Sequence, residues 1–133
     1  MSPLLRTHFD MELARLNDNV LEMGSRTRQA VAAAVRALMD NDLDLAAEVV
    51  AGDIAIDEMR HRIEKQCYAL LVAEQPVAGD MRSIVAALTI ASELERVGDH
   101  AKRIAKLQLR QEIAQTSIPM GGIDRMCQLA LRL

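Results

Sequence analysis

Apolar residues recur at intervals of three and four along most of the chain, the pattern of helices that bury one stripe. The first such run extends from about Thr7 to Met39, with Phe9, Leu13, Leu16, Val20, Met23, Ala30, Ala34 and Leu38 on its stripe. Gly24 falls inside it and costs about 1 kcal/mol against alanine. Asp40-Asn41-Asp42 interrupts the pattern with residues that cap helices. A second run, from about Leu43 to Glu74, carries Leu45, Val49, Ile56, Met59, Ile63, Cys67 and Leu70. It stops at Gln75-Pro76, because the residue before proline avoids the helical region. Val77-Ala78-Gly79 forms the connection, and Asp80 is read as the N-cap of a third run, with Ser83 in its first turn. That run reaches about Gln115 on a stripe of Ile84, Leu88, Ala91, Leu94, Val97, Ala101, Ile104 and Gln108. Thr116-Ser117-Ile118-Pro119 and Met120-Gly121-Gly122 follow, and a fourth pattern opens with Ile123, Met126, Leu129, Ala130 and Leu133.

Three long helices with short connections predict an all-α fold, an antiparallel up-down-up three-helix bundle over residues 1–115, with the start of a fourth helix. Residues 116–133 are read as a linker and the first turns of a second helical repeat, truncated. No internal repeat is visible within the chain.

Composition agrees with this reading. Half of the 133 residues are apolar, yet Phe9 and Tyr68 are the only aromatics. Ala, Leu, Val, Ile and Met supply the hydrophobicity, and Ala, Leu and Met favour helix over sheet. The net charge of -3, with no basic run and no interleaved aromatics, speaks against nucleic-acid binding. Cys67 and Cys127 are far apart and suggest buried thiols rather than a disulfide framework. The opening Met1-Ser2-Pro3-Leu4-Leu5-Arg6 meets charge too soon for a signal peptide. No window approaches the roughly 18 apolar residues of a membrane span. The expectation is a soluble, cytoplasmic chain, able to sit at the inner face of the membrane through partners.

Two acidic pairs carry the candidate chemistry. Asp53 and Asp57 are four apart on the second helix, and Glu95 and Asp99 are four apart on the third. Residues at that spacing share one helix face, and like charges there cost a few tenths of a kcal/mol. The first pair lies roughly 22 residues before the turn near Val77 and the second roughly 20 after it, so an antiparallel hairpin brings them to one height. Four carboxylates in one groove suit a hard cation such as Mg²⁺ or Ca²⁺, and also Mn²⁺ or iron. Against this stands the reading of ordinary surface ion pairs, since Arg60 and His61 follow Asp57 and Arg103 follows Asp99 at helical spacing. Arg26 and Arg28 on the first helix are further candidates at that height.

A sharper rival is a di-iron bundle, because Glu58-Met59-Arg60-His61 matches Glu-x-x-His. Its second motif is missing, as Glu95 and His100 are five apart. His8, His61 and His100 have no Cys or Ser partner at nucleophilic spacing, and no phosphate-cradling glycine loop exists. The chain is therefore read as no enzyme, and direct phosphate binding has no anion nest or arginine cluster to support it.

Gln75-Pro76-Val77-Ala78-Gly79-Asp80-Met81-Arg82, followed by Glu93-Leu94-Glu95-Arg96-Val97-Gly98-Asp99-His100-Ala101, resembles the PhoU family. Asp53-Ile54-Ala55-Ile56-Asp57 and the opening Phe9-x-x-Glu12-Leu13 are similar to it in the same order. The resemblance implies tandem three-helix bundles, each with a Glu/Asp-x-x-x-Asp motif associated with metal, here Asp53/Asp57 and Glu95/Asp99. It leaves the metal open among iron, manganese, magnesium, calcium and zinc. It also implies a negative regulator of phosphate uptake and of the phosphate regulon. Such a regulator contacts the ATPase subunit of the phosphate ABC transporter and the phosphate-sensing histidine kinase, commonly as a homodimer. The readings that compete with this are the di-iron enzyme and a plain structural helical module.

Overall fold

A computed structural model describes residues 3–73, 77–110 and 120–132. Helix α1 spans Pro3–Asp40, α2 Leu43–Ala73, α3 Ala78–Leu109 and α4 Met120–Arg132, with no strand among the described residues. The all-α expectation holds. α1, α2 and α3 each pack on the other two, and α4 packs on α1. The predicted linker over residues 116–119 and the end of the third run beyond Arg110 lie outside the described residues.

α1 begins four residues before the Thr7 start read from the sequence. Proline suits a first helical turn, where its missing N–H would have no partner. α1 and α2 are joined through Asn41, which takes a left-handed φ of 51°. Asparagine tolerates that conformation better than most residues with a Cβ. Asp42 then caps α2 as expected, its Oδ1 accepting from the Leu45 amide at 3.0 Å. The buried Gln108 side chain donates to Asn41 Oδ1, tying the end of α3 to this turn.

At the other end the expected Asp80 cap is not formed. Val77 is the N-cap residue and has no side-chain cap, which places Asp80 inside the first turn of α3. Arg6 claims it instead, with Nη1 2.7 Å from Asp80 Oδ2 and Nε 3.2 Å from Asp10 Oδ1. An acidic residue in a first helical turn is favoured by the helix dipole whether or not it caps. Ser83 turns back on its own helix and donates to the Gly79 carbonyl at 3.2 Å.

The core has two parts. Phe9, Leu16, Met23, Ile56, Met59, Ile63, Cys67, Leu70, Ile84, Ala87 and Ala91 form a large-residue cluster. Ala34, Ala37, Ala46, Val49, Ala101 and Ala105 form an alanine-rich cluster toward the other end. The predicted stripes name all of the first cluster but Ala87, and miss Ala37, Ala46 and Ala105 of the second. Val97, placed on a stripe, is exposed, while its neighbour Gly98 is buried.

Cys67 is buried, and its Sγ lies 3.7 Å from the Ile84 carbonyl, to which the thiol donates. Burial pushes its pKa up, and nearby Glu64 adds to the rise. The unfolded thiol ionises near its ordinary 9.0 while the folded one stays protonated, so its contribution to stability is present below that pH and declines above it. Unfolding free energy measured against pH is expected to fall above about pH 9, with a shallower fall in Cys67→Ser. Ile63 is fully buried in the main cluster. Urea denaturation of Ile63→Ala is expected to lose about 3 kcal/mol, whereas a loss under about 1 kcal/mol would mean the cluster is loosely packed.

Candidate functional site

The acidic pairs lie along the contact between α2 and α3, where Gly98 packs against Ile56. A Cβ built on Gly98 would sit 3.4 Å from Ile56 Cγ2 and 3.6 Å from Asp53 Oδ1. A larger side chain there would wedge the helices apart. The close approach puts Asp53 opposite Lys102, Ile56 opposite Gly98, and Arg60 opposite Glu95. The hairpin folds about the turn near Val77, and the two pairs do come to one height, as their spacing implied.

The charges at that height are exchanged across the contact. Lys102, from α3, brings Nζ 3.4 Å from Asp53 Oδ2 on α2, and the aspartate side chain is only 12% exposed. Arg60, from α2, directs Nε at Glu95 Oε2 on α3, while its Nη1 lies 2.5 Å from Glu64 Oε1 on its own helix. Arg60 and Glu95 are both about one-quarter exposed. Each acidic pair therefore has one member answered by a cation from the opposite helix.

The other members differ. Asp57 is half exposed and faces His61, whose Nε2 lies 4.0 Å from Asp57 Oδ2. Asp99 is partly buried. Among the described residues, no three His, Cys, Asp or Glu side chains gather at metal-holding spacing. The donor set as folded thus offers two carboxylates engaged with fixed cations, Asp57 turned to solvent and Asp99 partly buried. It does not present four free carboxylates to an ion.

The di-iron geometry is not met either. Glu58 is exposed and the His61 side chain is 56% exposed, so neither projects into the bundle as that architecture requires. Arg26 is spent on Glu22 at 3.9 Å along α1 and does not reach the acidic pairs. His8 and His100 are exposed, as read from the sequence.

Sequence spacing placed Arg60 with Asp57 on one helix and overlooked Lys102 altogether. Intrahelical offsets alone favour Arg60–Asp57, since they say nothing of a neighbour across the seam. The hairpin arithmetic that aligned the acidic pairs also aligns Arg60 with Glu95 and Lys102 with Asp53, so the signal was present.

Residues 20–108 match the PhoU domain family. The chain is 37% identical over 126 residues to the "Phosphate-specific transport system accessory protein PhoU homolog" of Rhizobium meliloti, covering 92% of this chain and 52% of that protein. It is 40% identical over 114 residues to the protein of the same description from Caulobacter vibrioides, covering 86% of this chain and 48% of that one. The crystal structure of the phosphate transport system regulatory protein PhoU from Streptococcus pneumoniae superposes with a TM-score of 0.84 at 31% identity. That match covers 93% of this chain and 58% of the pneumococcal one. The chain spans about half the length of the curated relatives it matches.

The cross-helix exchange makes two predictions. A double-mutant cycle on Arg60→Met and Glu95→Gln is expected to give a coupling of about 1 kcal/mol that shrinks as salt is added, and zero coupling at low salt would remove the pair as a structural contact. Gly98→Ala is expected to be neutral or slightly stabilising, because its methyl enters at van der Waals distance and helix propensity gains about 1 kcal/mol. Gly98→Leu is expected to lower stability by about 2 kcal/mol through overpacking, read in the same denaturation assay.

Proposed function

The chain belongs to the PhoU family, and from that premise we propose that it is a negative regulator of phosphate uptake and of the phosphate regulon. It acts by contact and not by turnover. Its partners in this reading are the ATPase subunit of the phosphate ABC transporter and the phosphate-sensing histidine kinase. It works in the cytoplasm, at the inner face of the membrane through those partners, as a homodimer.

The observation that carries the reading is the family match over residues 20–108, joined to relatives described as accessory to phosphate-specific transport. The geometry supports it in two ways. No described helix is long and apolar enough to cross a membrane, so any association with a transporter runs through surface contact. The end of the bundle where α2 meets α3 also carries apolar surface, with Leu4 84% and Val72 83% exposed. Exposed apolar surface of this kind is a common mark of protein contact.

A divalent metal on Asp53, Asp57, Glu95 and Asp99 was the sequence expectation, and the regulatory reading does not require it. Contact surfaces supply the regulation whether or not an ion is bound.

Deleting the gene from phosphate-replete cells is expected to raise expression from a phosphate-starvation promoter several-fold, and the chain is expected to copurify with the transporter's ATPase subunit. An unchanged reporter together with no copurification would sink the proposal.

A further inference from the structure

Asp53 and Glu95 are the two motif carboxylates most enclosed by the α2–α3 contact, and each meets a cation from the opposite helix. Both are side chains fixed by the fold at that contact. Together they bring two positive charges to the place where the resemblance expects a divalent ion. Being tethered, they are present at the seam at high effective concentration, whereas an ion must be drawn from solution. A hard cation arriving there must shed water, displace Lys102 from Asp53 and displace Arg60 from Glu95. Of the other two carboxylates, Asp57 is turned outward and Asp99 is partly buried.

We infer that Arg60 and Lys102 are built-in counter-cations that take the charge role of a divalent ion at the α2–α3 seam. The seam closes without metal, and divalent ions compete with these side chains instead of completing the site. The inference rests on the ion-pair geometry alone and is independent of the regulatory reading.

The arrangement explains how the chain tolerates an acidic pair on each helix. Repulsion along α2 is relieved by a lysine on α3, and repulsion along α3 by an arginine on α2. Both ion pairs bridge α2 and α3, so the same contacts serve packing and charge. A metal-dependent seam would leave four carboxylates facing one another in the metal-free protein. This seam does not.

The test uses Mn²⁺ as probe on the metal-stripped chain, with bound ion read by electron paramagnetic resonance and stability by thermal melting. The wild-type protein is expected to bind Mn²⁺ weakly and to melt at the same temperature in chelator and in excess Mn²⁺. The Arg60→Gln/Lys102→Gln double variant is expected to bind at least about tenfold more tightly, since two nearby repulsive charges are gone. Adding Asp53→Asn should abolish that gain. Arg60→Lys, which keeps the charge, should behave as wild type. If the double variant does not fold by circular dichroism, Lys102→Gln alone decides the matter, with a gain of about threefold expected. Wild-type protein that retains stoichiometric Mn²⁺ through desalting, or that melts several degrees higher with it, overturns the inference. So does a folded variant whose affinity is unchanged.

Discussion

The contact between α2 and α3 at Gly98 governs the rest of the arrangement. With no Cβ on α3, the backbone comes near enough for Ile56 and Asp53 of α2 to rest against it. That contact, with the core residues the two helices share on either side of it, sets the vertical register of an antiparallel pair. Once the register is fixed, Asp53 must meet Lys102 and Arg60 must meet Glu95. Shifting α2 by one helical turn in one direction would bring the acidic stretches against each other, whereas the other direction would set Asp57 by Lys102 and Arg60 by Asp99. Charge pairing therefore narrows the alignment without choosing it alone, and either shift would also lose the packing of Ile56 against Gly98.

Most of the fold was legible in the sequence because helical periodicity is a local signal. The stripes on α1, α2 and α3 name the large buried residues but miss Ala37, Ala46, Ala87 and Ala105, and Asp42 is a cap in fact as well as in pattern. Asp80 was misjudged for a reason that periodicity cannot contain. Its partner is Arg6, 74 positions away, and a long-range ion pair outweighed a local capping preference. Val97, expected on the buried stripe, is exposed for a similar cause. Ranking by hydrophobicity put the valine inward, but the interhelical gap at Gly98 has room for little more than a methyl.

The candidate site divides in the same way. That the acidic pairs share a height followed from counting residues about the turn. Their availability to a ligand did not follow, because it depends on which cations the opposite helix presents. Arg60 has carboxylate neighbours on both sides, and an intrahelical rule sees only one of them. Charge pairing across helices is thus the feature to inspect before an acidic motif is taken as a metal centre.

The alanine-rich cluster has a consequence for how the molecule breathes. Ala34, Ala37, Ala46, Ala101 and Ala105 let three helices approach closely, but each methyl removes little apolar area from water. The opposite end rests on Phe9, Leu16, Met23, Ile63 and Ile84, which bury far more. Cooperative opening is therefore graded along the bundle axis. Amide protons near the α1–α2 turn exchange through cheap local excursions, and those around Ile63 exchange only when the whole domain unfolds. The rod has a stiff end and a yielding end, with the charged seam at the boundary between them.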